Sequence, residues 1–229
     1  MVSKGKAKAP PLVSAAASQD IITVYVGANR KQYNLHKALL THHSGYFRGA
    51  LSGAWAEAQD RSVNLEHVRT GPFNVFVNWM YTGKLPGRFI TEEWNDEDPD
   101  PEEVKGNRSE MMDFHRAYAL ADMLLVPGLK RALFDLGFRF LERCSDFPKC
   151  IVYAYANLPE NDLHIRLLVD SFCFHKKLAA TDMASPEIAN IYPKQFLLHV
   201  IARLVGPDRD KPLSREDYVF EDDKKDGTG

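Results

Sequence analysis

The sequence predicts an α+β fold, and three observations carry that prediction. β-branched and aromatic runs cluster near the start, helical periodicity fills the later chain, and no strand–helix alternation repeats along it. Ile21 to Val26 is the first strand. Gly27-Ala28-Asn29-Arg30 supplies a turn, and Lys31 to Asn34 a returning strand. Leu35, Leu39 and Leu40 open a short helix. Ser44 has the hydroxyl of an N-cap for a second helix, with Phe47, Ala50 and Leu51 on one face. Val63-Asn64-Leu65 reads as a third strand. Pro72 takes a first helical position, and Phe73, Phe76, Val77, Met80 and Tyr81 follow at helical spacing until Gly83 ends the run.

Residues 84–109 lose all periodicity and read as a surface insertion rich in Pro, Gly and acid. Helical pattern returns with Phe114, Ala117, Tyr118 and Ala121. Pro127 starts another helix carrying Leu129, Ala132, Leu133, Leu136 and Phe140. Three more helices are expected: around Ile151 to Tyr155, from Leu163 to Leu178, and from Pro193 to Leu204. In the last of these, Phe196, Val200 and Leu204 repeat every four residues. The expected organisation is a disordered tail over 1–19 and a first domain over 20–141 with its acidic insertion. A helical extension over 142–206 and a disordered acidic tail over 207–229 complete it.

Charge is distributed unevenly along this chain. The 229 residues carry a net charge of −2, yet residues 91–104 hold eight acids and no base, while residues 1–19 hold three lysines and no acid. Residues 20–90 and 105–206 together carry 21 bases against 15 acids. At 45% hydrophobic and 26% charged, the chain has room for one full core or two small ones, which excludes a collagen or a coiled-coil rod. No apolar run reaches the roughly 18 residues of a membrane span. The odd set Cys144, Cys150 and Cys173 fits free thiols in a reducing compartment. Pro10-Pro11 breaks up what would be the apolar core of a signal peptide. A cytoplasmic or nuclear location is therefore expected.

From Asp20 the ordered residues resemble the BTB/POZ domain. The pieces are Asp-Ile-Ile-Thr-Val at 20–24, Tyr33-Asn34-Leu35-His36-Lys37-Ala38-Leu39-Leu40, Ser44-Gly45-Tyr46-Phe47 and Met80-Tyr81-Thr82-Gly83. Tyr118-Ala119-Leu120-Ala121-Asp122 and Leu129 follow at the places of that family's closing helical hairpin. The later stretch Val152 to Glu160, with Leu167-Leu168-Val169-Asp170, is similar to the helical tail of fungal single-BTB proteins. The resemblance implies a small sheet capped by helical hairpins, acting as a protein-interaction adaptor or scaffold without a catalytic centre. It also implies two sites. Asp20 and Lys37 occupy positions where the family pairs an acid and a base near its dimer groove. Trp55-Ala56-Glu57 matches the apolar–any–Glu pattern of members that recruit cullin-type ubiquitin ligase scaffolds, so Trp55 and Glu57 are the candidate partner-binding residues. The alternative is an oligomerisation or transcription-associated scaffold without ligase activity. Residues 1–19 hold too little apolar area for the exchanged helix of dimeric members, which leaves homo-oligomerisation an open expectation.

The sequence supplies no constellation for catalysis, and no cofactor is expected. Gly83-Lys84 lacks the upstream Gly and the following Ser or Thr of a phosphate loop. Adjacent His42 and His43 point to different helical faces, and Cys144 and Cys150 lack the spacing of a closed zinc site. His36 is expected to make a local hydrogen bond. The three tail lysines do not form a nucleic-acid-binding cluster. The expected partners are other proteins, not nucleic acid or membrane.

Overall fold

A computed structural model of the chain describes residues 20–52, 56–85, 110–144, 148–176, 186–207 and 211–220. The expectations for residues 1–19, for the insertion from residue 86 onwards and for the last nine residues lie outside this set. The chain divides into two compact units, Met1–Ala132 and Leu133–Gly229.

The first unit is built on a three-stranded sheet. Strand β1 (Ile21–Val26) alternates as a half-buried strand should, with Ile22, Val24 and Val26 buried. The turn after it uses left-handed backbone at Gly27 (φ 75°) and Arg30 (φ 53°), and the Arg30 N–H donates to the Gly27 carbonyl. Strand β2 (Lys31–His36) returns antiparallel, pairing Ile22 with Leu35 and Val24 with Tyr33. Leu35 is thus the last buried residue of a strand rather than the first of a helix. Helices α1 (Lys37–His43), α2 (Gly45–Ala50) and α3 (Ala56–Asp60) then lead to β3 (Ser62–Leu65). That strand lies parallel to β1, with Val24 opposite Val63, in the order β2-β1-β3. A parallel neighbour requires a crossover, and the stretch carrying these helices provides it. The fold class remains α+β, with one parallel pair that the linear order of strands does not reveal.

Helix α4 (Thr70–Thr82) begins two residues before Pro72, which still sits in the first turn, where its missing N–H leaves no helical bond unmade. Phe73, Val75, Phe76 and Met80 are buried, and Gly83 (φ 68°) closes the helix with its N–H on the Trp79 carbonyl. Helix α5 (Glu110–Met123) packs against α4 and buries Phe114, Ala117, Tyr118 and Ala121, the stripe its periodicity marks. Helix α6 (Pro127–Leu141) starts at the expected proline. The division between the compact units falls inside this helix, after Ala132. Its buried apolar side chains beyond that point are those of Leu133, Phe134, Phe138 and Leu141, whereas Leu136 and Phe140 are only partly covered.

The second unit is helical: α7 (Pro148–Asn157), α8 (Leu163–Lys176), the short α9 (Pro186–Ala189) and α10 (Lys194–Val205). Helix α8 is its centre, buried at every position from Leu167 to Cys173. Phe196, Val200 and Leu204 of α10 are buried, and the Phe196 ring meets Tyr155, Phe172 and Tyr192 at centroid distances of 5.1 to 5.6 Å. Chain direction is fixed where Ser171 donates its hydroxyl to the Leu141 carbonyl at 2.8 Å.

Within the stretch expected as an acidic tail, residues 211–220 are described. A turn of 3-10 helix spans Arg215–Asp217, and Tyr218 is only 2% exposed. Burial of the aromatic ring outweighs the acidity beside it, and the Asp217 carboxylate is paired with Lys211.

Candidate functional site

The candidate interaction surface of the first unit grows from the turn before α2. Ser44 caps that helix: its Oγ accepts the Phe47 N–H at 3.1 Å and donates to the Leu124 carbonyl at 2.6 Å. The N–H groups of Gly45 and Tyr46 donate to the carbonyls of Leu125 and Leu124, so the α5–α6 turn satisfies the exposed end of α2. Phe47 is buried and stacks on Phe76 at 6.2 Å. This anchoring holds Tyr46 partly buried at the surface.

Glu57 lies in the first turn of α3, where a carboxylate complements the positive end of the helix, and it is partly buried. Burial raises the Tyr46 phenol above its usual range, and the Glu57 charge raises it further. Tyr46 therefore stays a neutral hydroxyl that senses the Glu57 carboxylate. Trp55 lies outside the described residues. Tyr46 was legible only as part of a motif, because its relation to Glu57 depends on how the intervening chain folds back.

The expected Asp20–Lys37 charge pair takes a different form. The Asp20 carbonyl accepts the Lys37 N–H at 3.0 Å, joining the start of β1 to the start of α1. The Asp20 carboxylate instead meets Arg61, with Nη2 at 3.1 Å. Both side chains are at least half exposed, so the pair contributes about 0–1 kcal/mol. Arg61 stands between α3 and β3 with φ 51° and reaches Asp20 because β3 runs beside β1. No sequence signal announces that parallel register. The hydrogen bond expected of His36 is not local: its Nδ1 lies 2.7 Å from the hydroxyl of Tyr81, on helix α4.

The second unit contains a polar chain with the outline of a catalytic relay. The Tyr155 hydroxyl lies 2.8 Å from His199 Nδ1, and His199 Nε2 lies 3.1 Å from Glu160. Burial first, and then Glu160, drive the Tyr155 phenol far above its ordinary range, so it is not a ready nucleophile. Cys173 is likewise held as a thiol, pushed up to about 11 by burial. Among the described residues no three His, Cys, Asp or Glu side chains converge to hold a metal ion. Nor is any described helix long and apolar enough to cross a membrane.

In a comparison with family models, residues 15–95 match the BTB/POZ domain.

Proposed function

We propose that this chain, which carries a BTB/POZ domain, is a protein-interaction adaptor that presents the Trp55–Glu57 region to a cullin-type ubiquitin ligase scaffold. A BTB/POZ domain implies binding to other proteins. The cullin assignment rests on the apolar–any–Glu sequence together with one geometric observation. Glu57 stands partly buried at the start of α3, close enough to Tyr46 for its charge to act on that phenol. An aromatic residue beside such a carboxylate suits a protein interface, since the ring excludes water and the charge orients the partner.

The domain acts here by presenting surface, without chemistry. Tyr46 offers a hydroxyl on α2, whose ends are tied to the core through Ser44, Phe47 and Leu51, and Glu57 offers a carboxylate on α3. A preorganised surface of this kind loses little freedom on binding.

The experiment is co-purification of cullin scaffolds with the full chain. Trp55→Ala combined with Glu57→Lys is expected to abolish capture while leaving the thermal transition unchanged. A wild-type chain that captures no cullin scaffold would overturn the assignment and leave the broader adaptor role standing.

A further inference from the structure

The strongest unassigned feature lies in the second unit, where the segment Lys211–Phe220 sits on helices α6, α8 and α10. Its seating has the chemistry of peptide recognition. The Tyr218 hydroxyl donates to Asp170 Oδ2 at 2.7 Å, and its ring lies 5.5 Å from Phe134 and 5.9 Å from Phe138. Asp170 is held in turn by Arg203 Nε at 2.6 Å and by Arg166 at 3.6 Å. Arg215 pairs with Asp135 at 2.6 Å and lies over the Phe134 ring, and Phe220 meets that ring edge-on at 5.3 Å.

Two further observations separate this arrangement from an ordinary terminal segment. First, the carbonyls of the segment are received by side chains: Arg166 donates to Asp217 O at 3.1 Å and Arg203 to Lys211 O at 3.4 Å. Guanidinium groups aimed at main-chain carbonyls do not depend on the side chains at those positions, so sequence is read at the arginine, tyrosine and phenylalanine positions. Second, the seat is underfilled. A cleft of about 410 Å³ is lined on one side by Lys211, Leu213 and Tyr218 and on the other by Ile165, Asp170 and Arg203. A segment evolved only to close a core would leave little such space.

We propose that the groove formed by Phe134, Asp135, Phe138, Arg166, Asp170 and Arg203 is a docking site for an Arg-x-x-Tyr-x-Phe peptide of a partner protein, turned between its arginine and tyrosine as residues 215–218 are, which residues 211–220 occupy in its absence. The native segment is held by one buried tyrosine and by an ion pair partly open to water, Arg215–Asp135. Such pairs contribute little, which makes the segment displaceable. This assignment does not depend on the cullin reading.

The probe is a fluorescent peptide copying residues 211–220, titrated into the full chain and read by polarisation. Tyr218→Ala in the protein is expected to free the groove and raise peptide affinity at least tenfold over wild type. A peptide with alanine at its tyrosine position is expected not to bind. Absence of binding to a folded Tyr218→Ala chain, or equal binding by wild type and variant, overturns the proposal. Should that variant not fold, hydrogen exchange of the wild-type chain decides. Saturating heavy-isotope peptide is expected to reduce protection of amides 211–220 at least tenfold, and unchanged protection overturns the proposal.

Discussion

Gly45 and Leu125 meet where the start of α2 rests on the α5–α6 turn. A Cβ added at Gly45 would lie 2.9 Å from Leu125 Cβ, an atom fixed to the backbone and unable to swing aside. Leu125 itself is held at φ 53°, a conformation that costs an L-residue roughly 1–2 kcal/mol. Gly45→Ala is therefore expected to destabilise the protein by about 1–3 kcal/mol in urea titration. Leu125→Gly removes the opposing Cβ, so in the double variant most of that loss should return. Strict additivity would show that the contact is not the cause. At the same scale, His43 lies against Trp79 at 5.1 Å and against His42 at 4.6 Å. Burial first, and the His42 charge second, lower its affinity for a proton. The unfolded chain then binds the proton more tightly, so this contribution is intact above the ordinary histidine value of about 6.5 and is lost as pH falls below it. His43→Gln should flatten the decline in urea midpoint between pH 7.5 and 5.5, and an unchanged slope would exclude His43 as a source.

Elements with a one-sided stripe were legible in the sequence, because burial enforces period on residues close in the chain. The alternation of Ile22, Val24 and Val26, the cap at Ser44, the left-handed stop at Gly83 and the stripe Phe196–Val200–Leu204 all appear as written. What stayed hidden depends on residues far apart. The parallel register of β3 on β1 sets Arg61 beside Asp20, and nothing local encodes it. Tyr218-Val219-Phe220 is a short apolar run among acids, and only its seat on Phe134 and Asp170 gives it meaning. The last turns of α6 bury Phe134 and Phe138 in preference to Leu136 for the same reason. Asp170→Ala tests this seat as a structural element. Removing the carboxylate takes the 2.6 Å partner from Arg203, whose side chain is 16% exposed, and the acceptor from the buried Tyr218 hydroxyl, and should cost about 3–5 kcal/mol in chemical denaturation. A loss below about 1 kcal/mol would mean that water already serves the guanidinium.

At the scale of the whole molecule, the question is whether two compact units unfold as one. Helix α6 runs unbroken from Pro127 to Leu141 across the division after Ala132. Leu129 is buried on one side of that division, and Leu133, Phe134 and Leu141 on the other. Unfolding either unit alone would require the helix to fray at its middle, giving up hydrogen bonds in a segment whose buried side chains come every few residues. Calorimetry of the full chain is therefore expected to show a single transition. Phe76→Ala empties a buried position in the first unit and Phe196→Ala one in the second, each at a residue with no exposed surface. Each loss of about 3–5 kcal/mol should lower that one transition by on the order of 10 °C. Two transitions, with Phe76→Ala moving one and Phe196→Ala moving the other, would show that α6 transmits no stability and that the units fold as separate domains.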